Sequence, residues 1–437
     1  MKRLFETIIS SVLAVTMSFA ALCMTACKGE EGQESPPKTG IGYTIDQSKM
    51  FGICALPSDL FTSSADVGVT TDQICKIVEA MNVKSVRVWM HIPYVLQRAK
   101  RTNDISIKPV AAERFHTYFK KLKEAGVENI LAMSHQYLHP VEMIAGTYNG
   151  VIPEPDTDEY IIFMEMFEEC YRVMSKEFPE ITLWEPNNEM DHAKGTTVVR
   201  YGYMPSATQA ENAPYLYDID EVAGITADLC YYANRGIKEN NPNNELVMPG
   251  LCFTTDGTES MFIESLYQQI TSGKHPTSFD EDGKRVLPVD TNTDHYFNVL
   301  NWHPYANTKP SERWIQANLN MYNVAVEYGD KGKKVFLSEF GWHDDFSEAK
   351  IDNIGEWYAE ALDMLKANIP SLESVFMFRM FNWVSTGADV KDMEKTFGIF
   401  TSPMEEGGIQ AKPAAIGLYR YFNGADADLN KLYAALK

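Results

Sequence analysis

The chain has 437 residues, 45% of them apolar and 12% aromatic, and carries a formal net charge of -21. That is ample apolar material for a large core, and α/β barrels often take about 250 residues or more as one domain. An acidic surface repels phosphate backbones, which argues against nucleic acid as a partner, whereas a neutral ligand such as a sugar is compatible with it.

In chain order the first element is a leader. Lys2 and Arg3 precede a mostly apolar run, Ile8 to Leu22, too short for a comfortable membrane span and suited to a signal peptide. It ends in "MTAC", Met24 to Cys27, which resembles a bacterial lipobox. That resemblance implies removal of residues 1–26, lipid on Cys27, and an exported chain anchored in a membrane at the bacterial cell surface. The alternative is an ordinary cleaved signal in which Cys27 is incidental. Residues 27–48 include "KGEEGQESPPKTG" and read as a flexible tether. Beyond Cys27, the cysteines Cys54, Cys75, Cys170, Cys230 and Cys252 are odd in number and each lies in an apolar segment. They read as buried free thiols, and no CxxC or His/Cys cluster suggests a metal site.

From residue 49 to 437 short apolar runs alternate with amphipathic helical ones. Strands are expected at 50–58, 83–92, 127–136, 181–191, 244–253, 296–306, 333–342 and 372–383. Helices are expected between and after them, at 71–81 (capped by Thr71 or Asp72), 110–126 (stopped by Gly126), 158–178, 221–238, 258–270, 311–328, 348–367 and 413–422. Eight βα units in a row predict a single α/β domain, a (β/α)8 TIM barrel, rather than an open sheet. An open doubly wound sheet would more often carry a Gly-rich phosphate turn after its first strand, and "FGICALPSD" has none. Long loops follow strands two, three, four and eight, on the face where barrel enzymes keep their sites, and Ser272 to Asp294 belongs to the opposite face.

Strands four and seven are unusual. "ITLWEPNNEMD" begins apolar and ends in carboxylates and amides, with Glu185 and Glu189 four residues apart, and "KKVFLSEFGW" ends in Glu339. In a barrel the C-terminal strand ends converge on one mouth, so an apolar strand turns polar where it meets the cleft. Two carboxylates facing each other there suit glycosidic bond cleavage, one as proton donor and one as nucleophile, at about 5 Å for retention of configuration.

"WEPNNE" resembles the Trp-Glu-x-x-Asn-Glu signature of strand four in clan A retaining glycoside hydrolases, and "LSEFGW" resembles their strand-seven nucleophile motif. "NWHPYA" resembles their strand-six His-x-Tyr, and "TFGIFTSPMEEGGIQAKPAA" the segment after strand eight in the β-xylosidase-like family 39 and its relatives. The resemblance covers about residues 50 to 423. It implies a retaining glycosidase acting on a β-linked glycan or oligosaccharide without a cofactor. Glu189 would be the acid/base and Glu339 the nucleophile. Asn188 would bind the sugar 2-hydroxyl, Arg87 would hold Glu339 ionised, Tyr305 would contact Glu339 or the sugar, and His303 would orient a neighbour. Trp383 would be the sugar platform, Trp342 a second one, and His135 a hydroxyl ligand. Glu185 stays open as the acid if the motif is read as Trp-Asn-Glu-Pro-Asn with an Asn missing, although only Glu189 follows an Asn. His135 and His303 stay open as interior histidines. Trp89 and Trp302 read as core residues, and Arg379 needs a carboxylate, for which Glu185 is a candidate. Tyr201, Tyr203, Tyr215 and Tyr217 would line outer subsites or pack within their loop. The rivals are a glycan-binding lipoprotein on a barrel without catalysis and a transglycosylase using the same residues.

Overall fold

The computed structural model describes residues 45–60, 68–99, 104–134, 152–153, 155, 157–191, 198–199, 216–217, 219–253, 255, 257–277, 290–306, 308–344, 352–383 and 395–437. The expected leader, Cys27, His135, Tyr201, Tyr203 and Tyr215 lie outside the described residues. The chain from Tyr43 to Lys437 forms one compact unit. No described helix is long and apolar enough to cross a membrane.

Eight strands make the frame: β1 (Phe51–Cys54), β2 (Ser85–Trp89), β3 (Asn129–Ser134), β4 (Leu183–Pro186), β5 (Glu245–Leu246), β6 (Val299–Asn301), β7 (Lys334–Phe340) and β8 (Leu372–Met377). Every neighbouring pair among them is parallel, and β8 returns to pair with β1. Single parallel bridges, Val247 with Val299 and Leu251 with Trp302, join β5 to β6 and complete the circle. The outer helices are α1 (Thr71–Met81), α2 (Pro109–Glu124), α3 (Asp158–Glu177), α4 (Ile219–Asn240), α5 (Met261–Thr271), α6 (Glu312–Glu327), α7 (Ile354–Asn368) and α8 (Pro413–Asn423), with α9 (Leu429–Ala435) last. Hydroxyl side chains begin several of them. Thr70 caps α1 by accepting from the Gln73 N–H, one residue before the expected cap, and Thr157 and Ser311 do the same for α3 and α6.

The barrel has two cores. The outer one lies between strands and helices. The inner one is a plug of Cys54, Leu131, Leu183, Val247, Val299, Phe336 and Phe376, all at most 3% exposed. Burying each of the larger plug side chains stabilises the fold by about 1.5–3 kcal/mol. Gly52 is required beside it, because a Cβ there would meet the Phe376 ring at 2.7 and 2.8 Å. Strand side chains alternate with period two, so the next inward position above each plug residue lines the mouth. Leu183 leads to Glu185, Val299 to Asn301, Phe336 to Ser338 and Phe376 to Phe378. The barrel interior therefore changes from apolar to polar within one layer.

Candidate active site

Arg87, on β2, is the hub of that polar layer and is fully buried. Its Nε donates to Glu185 Oε2 at 2.7 Å and its Nη2 to Glu185 Oε1 at 3.0 Å. Its Nη1 donates to Glu339 Oε1 at 2.5 Å, and Nη2 also reaches Asn188 Oδ1 at 2.7 Å. Burial opposes the guanidinium charge, but Glu185 and Glu339 outweigh it and hold Arg87 protonated. Glu185 further accepts from the Gly250 N–H, Asn301 Nδ2 and Ser338 Oγ, at 3.0, 3.0 and 3.2 Å. With no exposed surface and five donors on its two oxygens, it is a structural counterion. This corrects one expectation: Glu185 is the partner of Arg87, not of Arg379. The Arg379 guanidinium lies over the Trp383 ring at 5.0 Å.

Beyond β4 the chain turns sharply. Asn187 and Glu189 have φ of 74° and 48°. Asn tolerates the left-handed region, whereas for Glu it carries strain of the kind that collects at functional sites. The turn is fastened by the Glu189 N–H donating to Gly250 O at 2.8 Å and the Asn188 N–H donating to Asn187 Oδ1 at 3.0 Å. With its Oδ1 on Arg87, Asn188 turns its Nδ2 the other way. Glu189 lies over the mouth with its side chain 19% exposed, facing Glu339 at 9%. Oxygens of the two carboxylates and His303 Nδ1 all lie within 4.8 Å of one another. Among the described residues this is the group whose donors converge closely enough to meet around an ion.

His303 links the pair. Its Nδ1 is 2.9 Å from Glu189 Oε1 and 3.7 Å from Glu339 Oε2, and its Nε2 is 3.0 Å from Ser338 Oγ. Burial disfavours charge on His303, but Glu339 and Glu189 more than offset it and raise its proton affinity. Gly250 packs flat on this imidazole, since a Cβ there would lie 2.7 and 2.8 Å from Cε1 and Cδ2. Tyr305 donates from its hydroxyl to Glu339 Oε2 at 2.7 Å, and burial followed by the Glu339 charge keeps that phenol protonated. Near Glu189 lies the Cys252 thiol, pushed up by burial and then by Glu189 and Asp191. Burial raises the Asp191 carboxyl to about 7, with the Glu189 charge adding to the rise and the Cys252 N–H, donated at 2.9 Å, opposing it. The five described cysteines are all free, as expected, but only Cys54, Cys170 and Cys230 are buried, while Cys75 and Cys252 are half-buried.

The mouth thus gathers Glu189, Glu339, Asn188, Arg87, His303 and Tyr305. Trp342 is elsewhere. It is 2% exposed, donates its indole N–H to Thr308 O at 3.1 Å, and is packed by Phe340, Trp357 and Tyr358. It belongs to the outer core and offers no open face, which corrects its expected role as a platform. Trp383 is half-buried with one face under Arg379. The aromatic that ends β8 at the mouth is Phe378, 6.0 Å from Tyr305, 5.8 Å from Phe397 and 6.4 Å from Trp89 between ring centres. Trp89 is half-buried there rather than a plain core residue. Sequence reasoning missed Asn301, Ser338 and Phe378. Counting two residues on from an inward apolar position would have found each.

No family model and no curated protein matches the chain. Solved structures do. A GH5_18 protein from Streptomyces cattleya, in complex with Manβ1-4GlcNAc, aligns at 12% identity and TM-score 0.57, covering 87% of this chain and 81% of that one. A β-glucosidase from Thermotoga maritima, in complex with castanospermine, aligns at 13% identity and TM-score 0.55, covering 89% of this chain and 98% of that one. A family 39 glycoside hydrolase from Bacteroides cellulosilyticus WH2 aligns at 13% identity and TM-score 0.53 over 86% of this chain, which spans 64% of the length of that structure. At these identities the similarity establishes the fold alone, a (β/α)8 barrel.

Proposed function

We propose that the barrel mouth is the site of a retaining glycoside hydrolase acting on β-linked glycans or oligosaccharides. The observation that carries this reading is the Glu189–Glu339 pair, with carboxylate oxygens within 4.8 Å of each other above a fixed cation. A separation of about 5 Å suits double displacement, whereas inversion needs about 6.5–9.5 Å to admit a water. Glu339 has its oxygens oriented by Arg87 and Tyr305, as a nucleophile aimed at an anomeric carbon requires. Glu189, more exposed and paired with an imidazole, is suited to give a proton to the leaving oxygen and later to take one from water. Asn188 would offer its Nδ2 to a sugar hydroxyl, and Phe378 with Trp89 would supply the apolar wall. Trp383 remains a candidate for an outer contact through its other face, and His135 a candidate hydroxyl ligand. The β-glucosidase and Manβ1-4GlcNAc-bound neighbours support a β-glycoside as the substrate class. Location on the outer side of a membrane, through lipid on Cys27, belongs to the same proposal and rests on the "MTAC" motif.

The test is a panel of aryl β-glycosides and polysaccharides with product analysis. Glu189→Ala should retain far more activity on substrates with good leaving groups than on natural glycans, and azide should rescue it to a β-glycosyl azide. Azide with Glu339→Ala should give the α-anomer by direct displacement. Swapped anomers would reverse the two roles. Binding of a glycan with no cleavage of any panel member would leave a binding protein instead, and transfer to sugar acceptors in preference to water would make it a transglycosylase.

A further inference from the structure

We propose that Ser338 is a positioning residue that pins His303 in one tautomer, with hydrogen on Nε2, so that its Nδ1 faces Glu189 as a proton acceptor. The inference rests on the functional reading above for its catalytic meaning, but its structural half stands on the hydrogen-bond network and on which acceptor in it carries charge.

The counting begins at Asn301. Its Oδ1 accepts from the Ser338 backbone N–H at 3.0 Å, an obligatory donor, so Nδ2 must be the atom facing Ser338 Oγ at 2.8 Å. Nδ2 can only donate. On its other side Ser338 Oγ meets Glu185 Oε1 at 3.2 Å. Glu185 is the carboxylate held bidentately by Arg87, and an ionised carboxylate can only accept. Glu185 Oε1 also accepts from Arg87 Nη2, the Gly250 N–H and Asn301 Nδ2, but it belongs to a charged carboxylate whereas the imidazole nitrogen is neutral, and on that ground we assign the single hydroxyl hydrogen of Ser338 to Glu185. Toward its third neighbour, His303 Nε2 at 3.0 Å, Ser338 has only a lone pair left, so Nε2 must carry hydrogen.

This determines what Glu189 meets. With Nε2 protonated, a neutral His303 turns a bare Nδ1 to Glu189 Oε1 at 2.9 Å. One proton between those atoms makes a good hydrogen bond, whichever atom formally holds it. No proton leaves two lone pairs opposed. The Glu189–His303 pair therefore keeps its proton to higher pH than a carboxylate receiving an Nδ1–H bond from a neutral imidazole would. The same arrangement serves both halves of a double displacement. In the first, the pair holds the proton that passes to the leaving oxygen. In the second, Glu189 has lost it and receives no Nδ1–H bond from the neutral ring, so it is a stronger base toward water, from which it recovers the proton. Other groups acting on Glu189 are Glu339 from β7, Tyr305 beyond β6, Cys252 beyond β5 and Asp191 on its own turn, while Glu339 and Arg87 from β2 act on His303. Of the groups hydrogen-bonded to the ring, Ser338 is the one on Nε2, which makes it the handle on the tautomer.

The wild-type measurement is imidazole 15N NMR on the full chain labelled at histidine, with His303 assigned by its loss in His303→Gln. Nε2 should carry hydrogen at every pH at which the protein is folded. A bare Nε2 at any such pH overturns the proposal, whether or not the chain is an enzyme. The second measurement is the pH profile of kcat/KM on an aryl β-glycoside. In Ser338→Ala the ring is free to place its proton on Nδ1, and the alkaline limb should move down by about one pH unit. Ser338→Thr, which keeps the hydroxyl, should restore it. Ser338→Ala removes only the longest of the bonds to Glu185, so it should fold. An unmoved alkaline limb in that variant overturns the catalytic half. A wild type with no glycosidase activity would refute the functional reading and leave the tautomer to the NMR result.

Discussion

Replacing Arg87 with methionine keeps much of the side-chain length and deletes a cation that four hydrogen bonds tie to Glu185, Glu339 and Asn188. Arg87 and Glu185 are both fully buried, so no water stands ready to take over. Breaking a buried ion pair by removing one partner costs about 3–5 kcal/mol, because the remaining charge is left uncompensated. Unfolding entropy near the midpoint is about 2.1 cal/mol/K per residue, so for a barrel of roughly 400 residues that cost corresponds to a Tm drop of about 4–6 °C. The loss should shrink toward acid pH, where an unpaired buried carboxylate escapes its penalty by taking a proton, and grow toward alkaline pH. The assay is calorimetric and urea unfolding of wild type and Arg87→Met at pH 5 and pH 8, together with Arg87→Met/Glu185→Gln. The double variant removes the stranded charge but keeps an acceptor for Gly250 N–H and Asn301, and should recover at least half of the loss. A single variant within about 1 kcal/mol of wild type, or a double variant no better than the single, would refute the reading of this cluster as a mutually compensated ion network.

Three other predictions concern single residues. Gly250→Ala drives a methyl group into the His303 ring and should lower kcat by about 100-fold or more, with the protein still folded by circular dichroism; unchanged kcat would mean that His303 placement is immaterial. Asp191 holds its proton up to about pH 7 when folded, so its contribution to stability is complete below about pH 4 and is lost as pH rises through 7. Asp191→Asn should therefore gain Tm relative to wild type on going from pH 5 to pH 8, and a constant difference would show that Asp191 does not titrate in that window. Cys27→Ala should move the expressed protein from the membrane fraction to the soluble fraction, and a wild type that is soluble and begins at another residue would remove the lipid anchor from the account.

The parts of this architecture carried by local pattern could be read from the chain. Helix α1 begins and ends where the periodicity puts it, Thr71–Met81, and all eight strands appear in the expected order. Glu189 and Glu339 stood out because charge is rare at the end of an apolar run. Inward and outward parity was harder to read, since barrel strands buried on both faces show little alternation. Trp342 lies three positions beyond Glu339 and so points away from the mouth, into the helices. Trp383 was taken as the end of strand eight, but pairing stops at Met377, and the next inward residue is Phe378. The Arg87–Glu185 pair joins residues 98 positions apart and depends on barrel closure, which no local pattern encodes. Ser338 passed unnoticed because a serine inside "FLSEF" looks like filler until its three neighbours are known.

The most direct test of the central claim is to trap the intermediate. A 2-deoxy-2-fluoro β-glycoside with a good leaving group slows both steps of a double displacement but slows breakdown of the covalent sugar enough for it to accumulate. Incubated with the wild-type chain and digested, the peptide carrying Glu339 should gain the mass of one fluorosugar, and prior Glu339→Ala substitution should abolish the label. Label on Glu189 or Glu185 would overturn the assignment of roles, and hydrolysis with inverted configuration and no label on any peptide would overturn the retaining mechanism itself.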